Sequence, residues 1–161
     1  FEPGKEAVSK HHWVIYRYAE TLLTYAESMV NAFNDVNYTD ETYKYSALWA
    51  INEVRKNADM PLIPSMGKDE FMERLYNEWR VEFAFEDHRF WDIRRWLIAD
   101  DEGVMKGAMY GLQLSAVTGA PGKVHYKPYV FENRLWSDRS YLHPIKQTEI
   151  DKGYMLQNPG W

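Results

Sequence analysis

The sequence predicts a mainly α-helical chain of antiparallel helical hairpins, with a small β-hairpin and an irregular C-terminal wrap. Three observations predict it. Apolar residues recur at spacings of three and four from Trp13 to about Phe33, and again from about Glu41 to Asn57. The stretch Asn77 to Trp96, NEWRVEFAFEDHRFWDIRRW, interleaves acids and arginines with Trp79, Phe83, Phe85, Phe90, Trp91 and Trp96. Between Ala99 and Tyr141 the helical pattern is broken at Gly103, Gly107, Gly111, Gly119 and Gly122.

At 161 residues the chain is one domain's worth, long enough for a real core. Its 12 tyrosines and 7 tryptophans suit dense packing, and they also suit surfaces that stack on flat ligands such as sugar rings. The net charge of -5 is not clustered, so there is no basic stripe and nucleic acid is not an expected partner. With Cys 0 there is no disulfide framework, thiolate chemistry or cysteine metal site. No apolar run approaches the roughly 20 residues that span a bilayer. The opening FEPGKEAVSK lacks a signal-peptide pattern and reads as starting inside a longer protein, with any lipid anchor outside this chain.

Residues 1 to 12 are polar and read as a connector, with His11 and His12 a solvated pair rather than a metal site. In the first helix Ile15, Tyr18, Ala19, Leu22, Ala26, Met29, Val30 and Phe33 make one apolar stripe. Ala19 and Ala26 are small enough to admit a neighbouring helix. Asn34 to Thr39 break the pattern, and Thr39 or Asp40 is the expected N-cap of the second helix. That helix turns Tyr45, Ala47, Leu48, Ile51 and Val54 inward and stops before Met60 and Pro61. Ala47, Ile51 and Pro61 echo the second helix of a tetratricopeptide unit. A third helix is expected from Ser65 or Lys68 to about Phe85, a corner at 86–88, and a fourth helix carrying Phe90, Ile93 and Leu97 inward. MYGLQLSAV and KVHYKPYVF read as two strands around TGAPG. The closing stretch from Tyr141 to Trp161 is expected to wrap back over the helices.

On the third helix, Met72, Leu75, Tyr76, Trp79 and Phe83 form one apolar stripe, while Val81, Ala84 and Phe85 make the other side apolar too. Such a helix is expected to be wedged between neighbours. Glu82 and Glu86 then lie beside aromatics, where a lone carboxylate is costly. The expected structure is therefore an internal ion-pair network of Arg17, Glu78, Arg80, Glu82, Glu86, Arg89, Asp92, Arg94 and Arg95.

Glu78, Glu82 and Glu86, four apart, could also make a metal or acid–base face, since the spacing allows carboxyls about 5 Å apart. The surrounding arginines would hold those glutamates ionised, which suits a general acid poorly. His88 follows Glu86 at the wrong spacing for a Glu-x-x-His metal motif. There is no Gly-x-Ser-x-Gly elbow and no phosphate-binding glycine loop. The reading is no catalytic residue, no metal and no cofactor. For binding, the candidates are Tyr110, Tyr126, Tyr129 and Trp136, with Asn133 and Arg134 as polar neighbours, all in the irregular insert. The alternative is that these rings cover the helices below.

Four segments in order carry a resemblance. RYAETLLTYAES (Arg17 to Ser28) is similar to an Arg-Tyr-Ala-Glu helix, and INEVRKNADMP (Ile51 to Pro61) to an Ile-Asn-x-Val-Arg helix end. NEWRVEFAFEDHRFWDIRRW is similar to a Glu-Arg-x-x-Glu-Leu-x-Phe-Glu-Gly-x-Arg-x-x-Asp-Leu-x-Arg-Trp signature. YLHPIKQTEI and QNPGW are similar to the closing Pro-Ile-Pro-x-x-Glu-Ile and Gln-Asn-Pro-Gly-aromatic motifs. Together they resemble the C-terminal part of the SusD/RagB family over residues 14 to 161. Trp79 stands where an Arg is common and Lys146 where a Pro is. Asp59 and Asp87 each replace a usual Gly, at positions where left-handed backbone is expected. Asp tolerates that conformation at some cost relative to Gly.

The resemblance implies a single C-terminal domain over 1–161, helical over 14–98 and hairpin-bearing over 99–161. It also implies a function, that of an outer-membrane lipoprotein of Bacteroidetes, anchored at the cell surface. Such a protein captures oligosaccharide, starch among its relatives' ligands, and hands it to a SusC-like TonB-dependent transporter. The mechanism would be capture, not turnover. Two rivals are a tetratricopeptide-like protein-interaction scaffold with no sugar affinity, and a glycoside-active enzyme dependent on Glu82 or Glu86.

Overall fold

The structure is a computed structural model that describes residues 14–119 and 122–161; the expected connector, with His11, His12 and Trp13, lies outside the described residues. The chain divides into two compact units, Phe1–Arg89 and Phe90–Trp161.

In the first unit, α1 (Tyr18–Phe33) buries Leu22, Leu23, Ala26, Met29 and Val30, and it ends where Asn34 turns left-handed at φ 56°. From Leu22 to Val30 the stripe is the one the spacing predicts, but its expected start is not: the helix begins at Tyr18, so Ile15 lies ahead of it, and Ile15 and Tyr18 are both exposed. Ala26 has no exposed surface and Ala19 is half-buried. Both α2 (Ala47–Asn57) and α3 (Lys68–Glu82) pack against α1. The core they share includes Ala47, Ala50, Ile51, Val54, Phe71, Leu75, Trp79 and Phe83. Burying a leucine- or phenylalanine-sized side chain there contributes about 1.5–3 kcal/mol.

The second helix starts later than expected. Asp40 does not cap it, because its carboxylate is taken up locally: Oδ1 accepts from the backbone N–H groups of Thr42 and Tyr43 at 2.8 and 2.6 Å. An acid that closes its own turn holds the chain out of the helix. Ser46 caps instead, accepting from Trp49 N at 3.1 Å, and Tyr45 stays outside the helix, exposed and stacked on Trp49. The loop after α2 is tied down by Asn52, whose side-chain amide donates to Ile63 O at 3.0 Å and accepts from Ile63 N at 2.9 Å.

The third helix ends at Glu82 rather than near Phe85. Residues 83–87 form a turn in which Phe85 and Asp87 are left-handed, at φ 67° and 65°. Asp59 is left-handed too, at φ 54°, so both Asp-for-Gly positions adopt the expected conformation. The expected wedge around α3 does not form within the described residues. Val81 is 64% exposed and Phe85 fully so, because the left-handed turn swings Phe85 off the apolar stripe.

A fourth helix, α4 (His88–Arg95), crosses the boundary between the units. Its expected inward trio is reduced to Ile93. Phe90 is 39% exposed, and Leu97 is carried outward by a left-handed backbone at φ 56° after the helix has ended.

In the second unit, β1 (Gly107–Ala116) and β2 (Val124–Arg134) pair antiparallel as a two-stranded ribbon. The register runs from Gly107 opposite Arg134 to Ala116 opposite Val124, with a bulge that leaves Phe131 unpaired. Side chains directly opposite share a face, and faces alternate along each strand. One face therefore carries Tyr110, Leu112, Leu114, Val124, Tyr126, Pro128 and Val130, every one of them apolar. On the other face the Tyr129 ring lies over Gly111, where an added Cβ would come within 3.1 Å of Tyr129 Cε1.

The closing stretch folds on itself and on the α4 residues of its own unit. A short 3-10 turn (Asp138–Tyr141) places Ser140 O where Arg94 Nε donates to it at 3.2 Å. Gln157 brackets Ile145, accepting from its N–H at 2.7 Å and donating to its C=O at 2.9 Å, on either side of α5 (Gln147–Ile150). Asn158 Nδ2 donates to His143 O at 2.6 Å. Trp161 Nε1 donates to Arg139 O and Leu142 O at 2.9 and 3.0 Å. The chain end is thus clipped to residues 139–145.

Candidate functional site

Within the charged stretch, Glu78, Glu82, Glu86 and Asp92 are all held by arginines. Arg17 lies in extended backbone just before α1 and reaches the end of α3. Its Nε and Nη2 donate to the two carboxylate oxygens of Glu86 at 3.0 and 2.9 Å, and its Nη1 donates to Glu82 Oε1. Nη2 also donates to the Glu82 carbonyl, a helix-end acceptor with no partner inside the helix. The guanidinium lies 4.2 Å over the Phe83 ring. Burial works against its charge, but the hydrogen bonds to Glu86 and Glu82 outweigh that and raise the Arg17 pKa above the ordinary arginine value.

Glu78, one turn earlier and buried, pairs with Arg55 of α2 at 2.5 Å, while Arg55 Nε donates to Pro61 O at 2.8 Å. Asp92 accepts from Arg95 Nε at 3.0 Å. Arg94 donates to backbone carbonyls of Phe90 and Ser140 and lies 3.7 Å over the Phe90 ring. Arg80 is exposed on the surface of α3 and Arg89 is half-buried. His88 packs its ring against Phe83 and sets Nε2 at 3.8 Å from Glu20 Oε2. The three glutamates that could have shared one reactive face are thus divided between two arginines on two different helices' ends. Carboxylates held by guanidinium forks have their acceptor oxygens committed to the pairing and serve as braces between elements.

Arg55 is the member of this network that the sequence reading misses. It lies 23 residues before Glu78, and only the packing of α2 near α3 makes them neighbours. The available signal was its place in the INEVRKNADMP motif, six residues before the proline whose carbonyl it binds.

The predicted ligand-binding residues fall in three places. Tyr110 and Tyr126 share the apolar face of the ribbon and are 69% and 64% exposed. Tyr129 is on the opposite face, because it is an odd number of residues from Tyr126. Asn133, opposite Ala108, is exposed, and Arg134 Nε donates to Glu132 Oε2 at 2.8 Å. Trp136 lies beyond the strand, edge-on to Tyr141 at 5.0 Å, with Arg94 5.3 Å over its ring. The structure therefore brings Tyr110 and Tyr126 together on one face and separates them from Tyr129 and Trp136.

A concavity that the sequence reading does not foresee lies between the 3-10 turn and the chain end. About 620 Å³ in volume, it is lined by Ser137, Asp138, Arg139, Tyr141, Leu142, Pro159 and Gly160. Gly160 is left-handed at φ 85° and lies so close to Arg139 that an added Cβ would be 2.9 Å from Arg139 Cβ.

Comparison with known proteins gives a consistent picture. A family model described as the SusD family matches residues 2–161. A SusD-like protein from Bacteroides fragilis NCTC 9343 is similar in structure, with a TM-score of 0.73 and 29% identity, over 92% of this chain and 26% of that one. A SusD superfamily protein from Parabacteroides distasonis ATCC 8503 shares the fold at a TM-score of 0.61 and 21% identity, over 98% of this chain and 29% of that one. The chain thus spans less than a third of the length of either. No curated protein matches it.

Proposed function

This chain belongs to the SusD family, and from that premise we propose that it is the C-terminal portion of a non-catalytic glycan-binding component of an outer-membrane uptake system. The full protein would be lipid-anchored and surface-exposed, and would present oligosaccharide to a SusC-like TonB-dependent transporter. The observation that carries this reading is the family match over residues 2–161. The site geometry supports it, because the carboxylates best spaced for chemistry are committed to Arg17 and Arg55.

Within this chain the proposed sugar contact is the Tyr110 and Tyr126 face of the ribbon. Sugar rings stack their C–H faces on aromatic side chains, and an open, uncharged strip suits a ligand that must be captured and then released. The two rings are four residues apart along the ribbon, roughly 13 Å, a span fit for an extended oligosaccharide rather than a single sugar.

A glycan array and calorimetry on the full chain test the reading. Oligosaccharide should bind without being cleaved, and Tyr110→Ala with Tyr126→Ala should weaken it while Tyr129→Ala does not. Binding to a protein and to no glycan would overturn capture in favour of an interaction scaffold. Turnover abolished by Glu82→Gln or Glu86→Gln would overturn it in favour of an enzyme.

A further inference from the structure

We propose that the concavity closed by the chain-end clip is a second carbohydrate subsite, one that takes the end of a neutral oligosaccharide; it rests on the glycan-binding reading above. It is walled by the 3-10 turn Asp138–Tyr141 on one side and by Pro159 and Gly160 on the other, both within the second unit. Its volume of about 620 Å³ falls within the roughly 300–1,000 Å³ typical of small-molecule sites.

The lining has the chemistry a sugar needs. The exposed Asp138 carboxylate has no hydrogen-bond or ion-pair partner among the described residues, so its acceptors are free for hydroxyl groups. Arg139 supplies donors beside it. Its guanidinium is held 4.6 Å over the Trp161 ring, and its Nη1 makes a long contact of 3.5 Å to Gly160 O, so most of its N–H groups remain unused. An acceptor and a fixed donor fork on adjacent residues match a pair of neighbouring hydroxyls. The Tyr141 hydroxyl is already bonded to Asp100, which leaves its ring, with Leu142 and Pro159, as the apolar wall for C–H groups. One carboxylate and one guanidinium cancel, which fits an uncharged ligand better than an acidic one.

The site is also preformed. Trp161 is pinned by two hydrogen bonds from its indole to Arg139 O and Leu142 O, which fixes the wall before any ligand arrives. Binding there loses little to ordering of the protein.

The test is calorimetric titration of the full chain with maltohexaose, xylohexaose and mannohexaose, using trigalacturonate as the acidic comparison. Two variants spare the clip: Asp138→Asn removes the free charge without changing shape, and Leu142→Trp fills the cavity from an exposed position. With unchanged melting temperatures, both should bind the preferred neutral hexasaccharide about tenfold or more weakly. If the parent binds a hexasaccharide and both variants bind it equally well, the subsite is overturned while glycan capture stands. If the parent binds no member of the panel, capture itself has failed, and the subsite with it. Preference for trigalacturonate over every neutral sugar would overturn the assignment of a neutral ligand.

Discussion

Arg17 meets Glu86 side-on across 69 residues of sequence, through two parallel hydrogen bonds of 3.0 and 2.9 Å. The same guanidinium holds Glu82 and the last carbonyl of α3, and its face rests on Phe83. A cation at a helix C-terminus is favoured by the helix dipole, and the bidentate geometry is the strongest a carboxylate finds in a protein. One side chain therefore joins the segment before α1 to the corner after α3.

Arg17→Ala should cost about 2–3 kcal/mol in urea unfolding, below the 3–5 kcal/mol of fully buried pairs because its partners keep some contact with solvent. Arg17→Lys should recover only part of this, since an ammonium cannot make the side-on pair. A cost of less than about 0.5 kcal/mol for the alanine variant would remove the brace from the account.

Glu78→Gln should be more destabilising than Glu82→Gln. The Glu78 side chain is 8% exposed against 18% for Glu82, and its loss leaves the half-buried Arg55 with only its bond to the Pro61 carbonyl. Melting temperatures of the two single variants, compared in one buffer, decide the order.

Asp59→Gly and Asp87→Gly should each stabilise the chain, by about 0.5–1 kcal/mol, because both backbones are left-handed and glycine adopts that conformation freely. Neither substitution should alter glycan binding. Lowered melting temperatures in both would show that the carboxylates matter more than the backbone.

Tyr141→Phe should flatten the acid limb of the stability profile. The hydrogen bond from Tyr141 lowers the Asp100 pKa below the usual carboxylate value, helped by the Asp100 backbone N–H. A depressed folded-state pKa adds stability above the unfolded-state value near 3.9, and that stability is lost as pH falls through the folded value. The variant should therefore melt below the parent near neutral pH, and the gap should close as the pH falls below the ordinary carboxylate range. A gap independent of pH would assign the effect to packing alone.

Gly160→Ala should loosen the chain end more than Gly111→Ala loosens the ribbon. At Gly160 a left-handed backbone and a Cβ contact of 2.9 Å to Arg139 act together, whereas at Gly111 the neighbours are the side-chain rings of Tyr129 and Phe131, at 3.1 and 3.4 Å, and the backbone is not left-handed. Hydrogen exchange of the Trp161 indole N–H and of the ribbon amides measures the two effects separately.

Much of this was legible in local pattern. The helical stripes followed from spacing over Leu22–Val30 in α1 and Ala47–Val54 in α2, though not at their N-terminal ends, where Ile15, Tyr18 and Tyr45 are exposed; the ribbon followed from two β-rich runs around a turn, and the left-handed Asp59 and Asp87 from the glycines expected there. What escaped was set by other parts of the chain. Asp40 looked like a helix cap because its side chain does cap something, namely its own turn. Phe85 continued an apolar pattern on paper, yet a left-handed backbone takes it out of the helix. The pairing of Glu78 with Arg55 depends on tertiary packing that no window of sequence contains. The separation of Tyr129 from Tyr126, in contrast, was readable from the odd number of residues between them.

An arginine stretched out ahead of a helix would ordinarily be an open invitation to trypsin. Here the side chain that the protease must grasp is sheathed by two acids and a ring, so the Arg17–Tyr18 bond is cut only in molecules whose corner has sprung loose. The nicking rate at that single bond is thus a clock for how often the corner opens while the core of α1 remains intact.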